Sequence, residues 1–319
     1  MIVHRGIPQK AQFATVLTIG NFDGVHLGHR AMLERLIAKA RKAAMPAAVL
    51  TFEPHPREYF APASAPARLT RLREKLALLA ECGVDQVYVC RFNERLASLT
   101  ADEFIEQVLV RGLGVRHLLI GDDFRFGKGR SGDFALLQQA GTAHRFVVEA
   151  MDTIEMDGER VSSSSIRAAL AAGNLARAER FLGRPFSMSG RVMHGDKIGR
   201  TLGFPTANVQ HVRARLPLAG IYAVTVDGLG KRLYGAASVG VRPTIAEGLK
   251  PVLEVHLLDF DRNVYGEHVH VNFHHKLRDE AKYANLDALK AQIARDVEDT
   301  RIYFSNAQAA EDWHKELDE

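Results

Sequence analysis

The stretch Leu17–Arg30, LTIGNFDGVHLGHR, decides how the N-terminal half is read. Val16, Leu17 and Ile19 form a short apolar run, and Gly20, Gly24 and Gly28 break it with residues that allow tight turns and close approach. After His29, apolar residues at Met32, Leu33, Leu36, Ile37 and Ala40 recur at helical spacing. The pattern is a buried strand, a glycine-rich turn and a helix. Such a turn directs free N–H groups and the positive end of a helix dipole at one spot, which suits a phosphate. His26 and His29 lie three apart at the mouth of that helix, so both imidazoles can face the same place.

The rest of residues 1–184 repeats the alternation. Strand-like runs at Ala47–Phe52, Gln86–Cys90, His117–Ile120 and Arg145–Glu149 are separated by helical spacing near 69–82, 101–112 and 134–140. This predicts a parallel sheet with helices on both faces. Ligands of such sheets bind beyond the carboxyl ends of the strands. The opening turn and the loop GDDFRFGKGRSGD, from Gly121, both fall there and should converge. Neither G-x-G-x-x-G nor a P-loop is present, since GDKIGRT at 195–201 is one residue short and has Arg in place of Lys. Further on, Ser162, Ser163, Ser164 and Ser165 precede a helical run. Serines there cap helices. They can equally hold phosphate oxygens, with Arg160 or Arg167 adding charge-assisted bonds.

After Phe186 the texture changes to short alternating runs broken by Gly and Pro, which predicts a small antiparallel barrel. A helix follows from about Leu286 to Ile302, and the polar tail after it carries no assigned role. The linker is expected near 183–187, giving domains 1–184 and 185–319. Within the second, GRVMHGDKIGRTLGFPTANV supplies glycines with Lys197 and Arg200, suited to a flap over phosphates. In an extended chain Thr206 and Asn208 share a face and offer two hard oxygens that suit Mg²⁺. A turn with local side-chain bonds would also account for Pro-Thr-Ala-Asn.

The 319 residues are 46% apolar and 25% charged, ordinary for a globular chain. No apolar run is long enough to span a bilayer, and MIVHRGIPQK lacks the core of a signal peptide. With Cys82 and Cys90 the only cysteines, a disulfide scaffold is not expected, and the cytoplasm is the expected compartment. A net charge of +4 permits anionic ligands without arguing for nucleic acid. His268 and His270 alternate on one strand face, but no carboxylate or Cys at ligand spacing accompanies them, so a surface strand is the better reading.

GNFDGVHLGHR paired with RVSSSSIR, together with TFEPHP and GDDFRFGKGRSGD, resembles the nucleotidyltransferase domain of the bacterial bifunctional riboflavin kinase/FAD synthetase family. The stretch from Gly190 through PTAN, GIYAV, VGVRPT and LEVHLLDF to Phe304 resembles riboflavin kinase. The third hydroxyl of the serine signature, usually Thr in the family, is Ser164 here. The resemblance implies a Rossmann-like nucleotidyltransferase domain followed by a riboflavin-kinase barrel with a terminal helix. It implies phosphorylation of riboflavin to FMN and adenylylation of FMN to FAD, with ATP and Mg²⁺.

The resemblance also implies site residues. For adenylyl transfer, ATP would be held by Gly20, Asn21, Phe22, Asp23, Gly24, His26, His29, Arg160, Ser162, Ser163, Ser164 and Arg167, and FMN by Asp123 and Phe124. For the kinase, Gly195, Lys197, Gly199, Arg200, Thr206 and Asn208 would hold ATP, the last two also the metal. Glu254 would be the base, and Arg278 and Glu280 would lie on the flavin side. Phe124 and Phe126 could form an aromatic wall, although alternate Phe residues usually mark core. The implied partners are riboflavin, FMN and ATP, for a monomer or weak homo-oligomer. Other readings fit parts of this pattern: one surviving activity, a different phosphorylated acceptor, a class I aminoacyl-tRNA synthetase, or a flavin sensor without catalysis. The second domain argues against the other acceptors, and no anticodon-binding domain or basic surface is visible for a synthetase.

Overall fold

A computed structural model describes all residues except 196–201, 212, 214, 245–247 and 319, and the side chains of 242–250 and 308–318 lie outside it as well. Lys197, Gly199 and Arg200 therefore fall outside the described residues. The chain forms two compact units, Met1–Pro66 with Thr70–Ser163, and Ala67–Leu69 with Ser164–Glu319.

In chain order the first unit contains β1 (Ile2–Arg5), β2 (Thr15–Ile19), α1 (Leu27–Lys42), β3 (Ala47–Glu53), α2 (Pro56–Phe60), α3 (Leu72–Glu81), β4 (Gln86–Arg91), α4 (Glu94–Ala97) and α5 (Ala101–Glu103). Then come β5 (Val115–Gly121), α6 (Phe134–His144), β6 (Val147–Met151) and a small ribbon of β7 (Glu155–Met156) and β8 (Glu159–Arg160). Six parallel strands run in the order β1-β4-β3-β2-β5-β6. Strand alternation divides the core. Leu17, Ile19, Ala48, Leu50, Leu118 and Ile120 pack on one face against Phe104, Ile105 and Val108. Val16, Val49, Val87 and Leu119 pack on the other against Leu33 and Leu36 of α1 and Leu79 of α3. Helices thus cover both faces, as the apolar runs predict.

Three details differ from expectation. β1 adds an edge strand that the mixed run IVHR did not signal. The expected helix at 101–112 continues from α5 as a π-helix over Phe104–Gly112. The helix expected to end near Ala140 runs to His144, because Gly141 packs under the Phe146 carbonyl and left-handed Arg145 (φ 62°) ends it instead.

The second unit contains α7 (Ser163–Ala171, its first residue in the first unit), α8 (Leu175–Leu182), β9 (Phe186–Met193), β10 (Thr206–Gln210), β11 (Gly220–Leu229), β12 (Lys231–Thr244), β13 (Gly248–Leu257), β14 (His268–Arg278) and α9 (Leu286–Asp318). The strands close into a barrel in the order β10-β13-β12-β11-β14-β9. Its interior is filled by Met188, Tyr222, Val224, Val239, Leu253, Val255, Val271 and Phe273, none more than 1% exposed. α8 packs on β9 and β14, and α9 on β11, β12 and β14. α9 reaches Asp318, sixteen residues past its expected end, because no Gly or Pro interrupts it. PTAN is not a turn: Thr206–Gln210 is strand, paired on both sides. Among the described residues, no helix is long and apolar enough to cross a membrane.

Candidate active sites

In the first unit, strand order reverses between β2 and β5, the crevice where open α/β sheets take ligands. The turn after β2 occupies that point, with the loop after β3 on one side and the loop after β5 on the other. The turn is sharply wound, with Phe22, Gly24 and Val25 all at positive φ (47°, 88° and 40°). For a β-branched residue this is a true outlier, and such strain gathers at functional sites. It persists because the surroundings fix it. Asp23, 2% exposed, accepts from Thr70 N at 2.8 Å and from Thr70 Oγ1 at 3.1 Å, while Gly24 N donates to the same hydroxyl at 3.0 Å. Phe22 is 1% exposed and packs in the core, its ring 4.9 Å from that of His29.

His26 is the N-cap of α1, its Nδ1 accepting from His29 N at 3.4 Å. A neutral His26 whose Nδ1 accepts carries its proton on Nε2, which then donates. Gly28 allows this packing, since a Cβ there would lie 3.2 Å from His26 Nδ1. The two imidazoles stack at 3.6 Å. Burial first, then His26 and Lys75, hold the His29 pKa well below the usual histidine range, so the ring is neutral at pH 7. His29 Nδ1 and Asn21 Oδ1 are buried with no hydrogen-bond partner. Leaving such atoms unpaired costs about 1–3 kcal/mol each, which a polar ligand can offset.

Ser163 Oγ donates to the Asp23 carbonyl at 2.9 Å, so the serine signature meets the turn. Arg160 pairs with Asp123 at 2.9 Å, joining a proposed ATP residue to a proposed FMN residue on the surface. Ser162 lies in the same unit, between Arg160 and Ser163. Ser164 and Arg167 belong to the second unit, where Arg167 Nε donates to Ala67 O at 2.7 Å. Phe126 is 6% exposed and is core, with Phe124 stacked on it at 5.7 Å.

Two features here are absent from the sequence reading. Tyr59 and Phe60, 39% and 66% exposed, cluster with Phe92 just past the carboxyl ends of β3 and β4, at centroid spacings of 5.2–5.5 Å. The only signal was the aromatic pair itself in REYF. Lys75, on α3, is 1% exposed. Its place four residues before Leu79, on an apolar stripe, could have marked it.

In the second unit, Asn208 on β10 stands opposite Glu254 on β13, and Glu254 stands opposite Ser238 on β12. Directly opposed residues of antiparallel strands share a face. Leu253 and Val255, each 1% exposed, point into the barrel, so Glu254 leaves on the outer face, as its alternation predicts. Thr206 is opposite His256, whose Nδ1 bonds the Pro205 carbonyl at 2.9 Å. A Cβ on Gly195 would collide with the Asn208 amide where it now stands, so a side chain there would displace that amide. One site thus gathers Gly195, Thr206, Asn208 and Glu254.

Arg278 is not free to point anywhere. Its guanidinium forks onto Asp296 of α9 through Nε at 2.7 Å and NH2 at 2.6 Å, and Asp296 is 4% exposed. The Glu280 carboxylate rests against Gly240, where a Cβ would strike it. Among the described residues, no three His, Cys, Asp or Glu side chains form a metal cluster.

Residues 8–165 match the profile of the family described as FAD synthetase, and residues 182–304 that described as riboflavin kinase. A bifunctional riboflavin kinase/FMN adenylyltransferase of Escherichia coli K12 is 54% identical over 95% of this chain and 97% of its own length. One of the same description from Pseudomonas fluorescens is 54% identical over 88% of this chain and 90% of its own. A solved structure titled as a macrolide-efflux protein from Streptococcus pneumoniae superposes with a TM-score of 0.81 at 30% identity, covering 94% of this chain and 99% of that one.

Proposed function

Because this chain belongs to the family of bifunctional riboflavin kinase/FMN adenylyltransferases, we propose that it makes both flavin cofactors in sequence. The barrel unit phosphorylates riboflavin with ATP to give FMN. The sheet unit transfers AMP from a second ATP to the FMN phosphate, giving FAD and pyrophosphate. The cross-strand pairing of Asn208 with Glu254 carries this reading furthest, since it sets a carboxylate beside a hard oxygen ligand on a rigid sheet.

In the kinase step, Glu254 accepts the proton of the riboflavin 5′-hydroxyl as that oxygen attacks the ATP γ-phosphorus, with ADP leaving. Thr206 and Asn208 offer a hydroxyl and an amide oxygen, a donor pair that fits Mg²⁺ shared with phosphates. The ion neutralises phosphate charge when bound. Gly195 lets the backbone close on Asn208, with Lys197, Gly199 and Arg200 assigned to the phosphates by sequence. Arg278 acts on the flavin side through the helix it anchors, with Glu280 beside it.

In the adenylyl step a phosphate oxygen of FMN attacks the ATP α-phosphorus and pyrophosphate leaves, without a covalent enzyme intermediate. The work is alignment and charge stabilisation. The Gly20–Gly24 turn, His26 through Nε2–H, neutral His29, Arg160, Ser162 and Ser163 supply the donors, and Ser164 and Arg167 complete the signature. Asp123 and Phe124 are assigned to FMN, and the exposed Tyr59–Phe60 rings offer a stacking surface at the same carboxyl end of the sheet. Asp23 and Phe22 hold the turn in shape.

We place the functional boundary at 184/185, three residues into the riboflavin kinase match that starts at 182. We assign the enzyme to the cytoplasm, as a monomer or weak homo-oligomer. The test is direct. Purified protein with riboflavin, ATP and Mg²⁺ should yield FMN and then FAD on chromatographic separation, and turnover to neither overturns the assignment.

A further inference from the structure

We propose that Lys75 is a positioning residue for adenylyl transfer, setting the Asn21 peptide of the phosphate-binding turn through Thr51. The inference rests on the assignment of the first unit as an FMN adenylyltransferase.

Lys75 is 1% exposed and Thr51 is fully buried. Lysine is almost never buried this far unless its charge is paired or hydrogen-bonded. On a face shared with Leu79, an aliphatic residue would pack without the desolvation penalty. The Lys75 ammonium donates to Thr51 Oγ1 at 3.3 Å, and the Thr51 hydroxyl donates to the Asn21 carbonyl at 3.4 Å. The direction of this relay is fixed, because an ammonium has donors and no acceptor. With its oxygen occupied by the ammonium, the threonine must send its own proton to Asn21.

The consequence is geometric. In a trans peptide the carbonyl and the following N–H point opposite ways. Drawing the Asn21 carbonyl toward Thr51 turns the Phe22 N–H away from it. Asn21 is also the residue from which the chain enters the left-handed run at Phe22, Gly24 and Val25. A buried cation two bonds of a relay away therefore sets the first donor of the turn. Its field also reaches His29, where it adds to burial and to His26 in keeping that ring neutral.

The test compares initial rates of FAD formation from FMN and ATP for the full chain, Lys75→Met, Thr51→Val and the double variant, with thermal unfolding of the first unit in the same samples as the control for folding. Each single variant should lower kcat about tenfold or more while the KM for ATP moves less than about threefold. The double variant should be no worse than Lys75→Met within about threefold, because both changes break one relay. A Lys75→Met protein that forms FAD at the unmodified rate overturns the proposal, as does a double variant whose loss is the product of the single losses. If Lys75→Met does not fold, Thr51→Val decides alone, and full activity there overturns it. An unmodified chain that makes no FAD refutes the adenylyltransferase assignment instead.

Discussion

Asn208 and Glu254 face each other across the β10–β13 pair of a closed barrel, on the same outer face. Neither belongs to a loop. Their spacing is set by strand pairing and by Leu253 and Val255, whose burial fixes the alternation. The proposed kinase centre is therefore preorganised by core packing, and the ends of its substrates must come to it.

Glu254→Gln keeps the shape of the side chain and removes the proposed base. Riboflavin phosphorylation should fall by a factor of about 10²–10⁴, with the KM for ATP little changed. FAD formation from supplied FMN should persist. Steady-state rates with riboflavin and with FMN check both halves of the expectation.

His29→Ala should act in the opposite sense. If His29 acts on the phosphates as proposed, its loss is expected to slow FAD formation roughly a hundredfold. FMN formation should continue, so FMN accumulates when riboflavin is supplied. If a folded His29→Ala protein lost kinase activity too, the two sites would not be independent.

Acid should unsettle the first unit before the carboxylates titrate. The folded pKa of His29 lies well below its unfolded value of 6.5, so the unfolded chain binds more protons in that interval. Stability is then complete above the unfolded pKa and declines as pH falls from there toward the folded pKa. Denaturant midpoints measured between neutral pH and pH 5 should drop, and His29→Phe should flatten the slope. An unchanged slope in that variant would show that other groups carry it.

Arg278→Ala leaves Asp296 buried without its cation. Breaking such a pair by removing one partner costs about 3 kcal/mol or more. The barrel unit should melt earlier, because the fork that ties β14 to α9 is gone. Asp296→Asn, which can still accept from Arg278, should cost less. Thermal unfolding of the two variants side by side gives the comparison.

Most of the fold was legible because its core is built from plain periodicity. Val16, Leu17 and Ile19, or Leu253 and Val255, announce their faces by alternation, and the helices by spacing. What stayed hidden depended on partners far along the chain. The resemblance puts Arg278 on the flavin side, and its fork onto Asp296, eighteen residues away, shows only in the fold. The apolar stripe shared with Leu79 hints that Lys75 is buried, but its partner Thr51 lies on a strand 24 residues back and shows only in the fold. PTAN fits a turn or a strand equally well in isolation, and only its pairing with β9 and β13 decides. β1 is too short and mixed to stand out, and its parallel pairing with β4 is what makes it a strand.

The barrel carries one last consequence. Met193, Asn208, Glu254, Ser238, Ile221 and Arg278 are successive cross-strand neighbours, one from each of the six strands. This row works as a ruler laid around the barrel, with the proposed catalytic pair marked near one end and the anchor of the last helix at the other. A single residue inserted into β13 would turn Glu254 inward and Leu253 outward, since side chains alternate with a period of two. An added residue is instead accommodated in the connections between strands, where it lengthens a loop without moving a mark on the ruler.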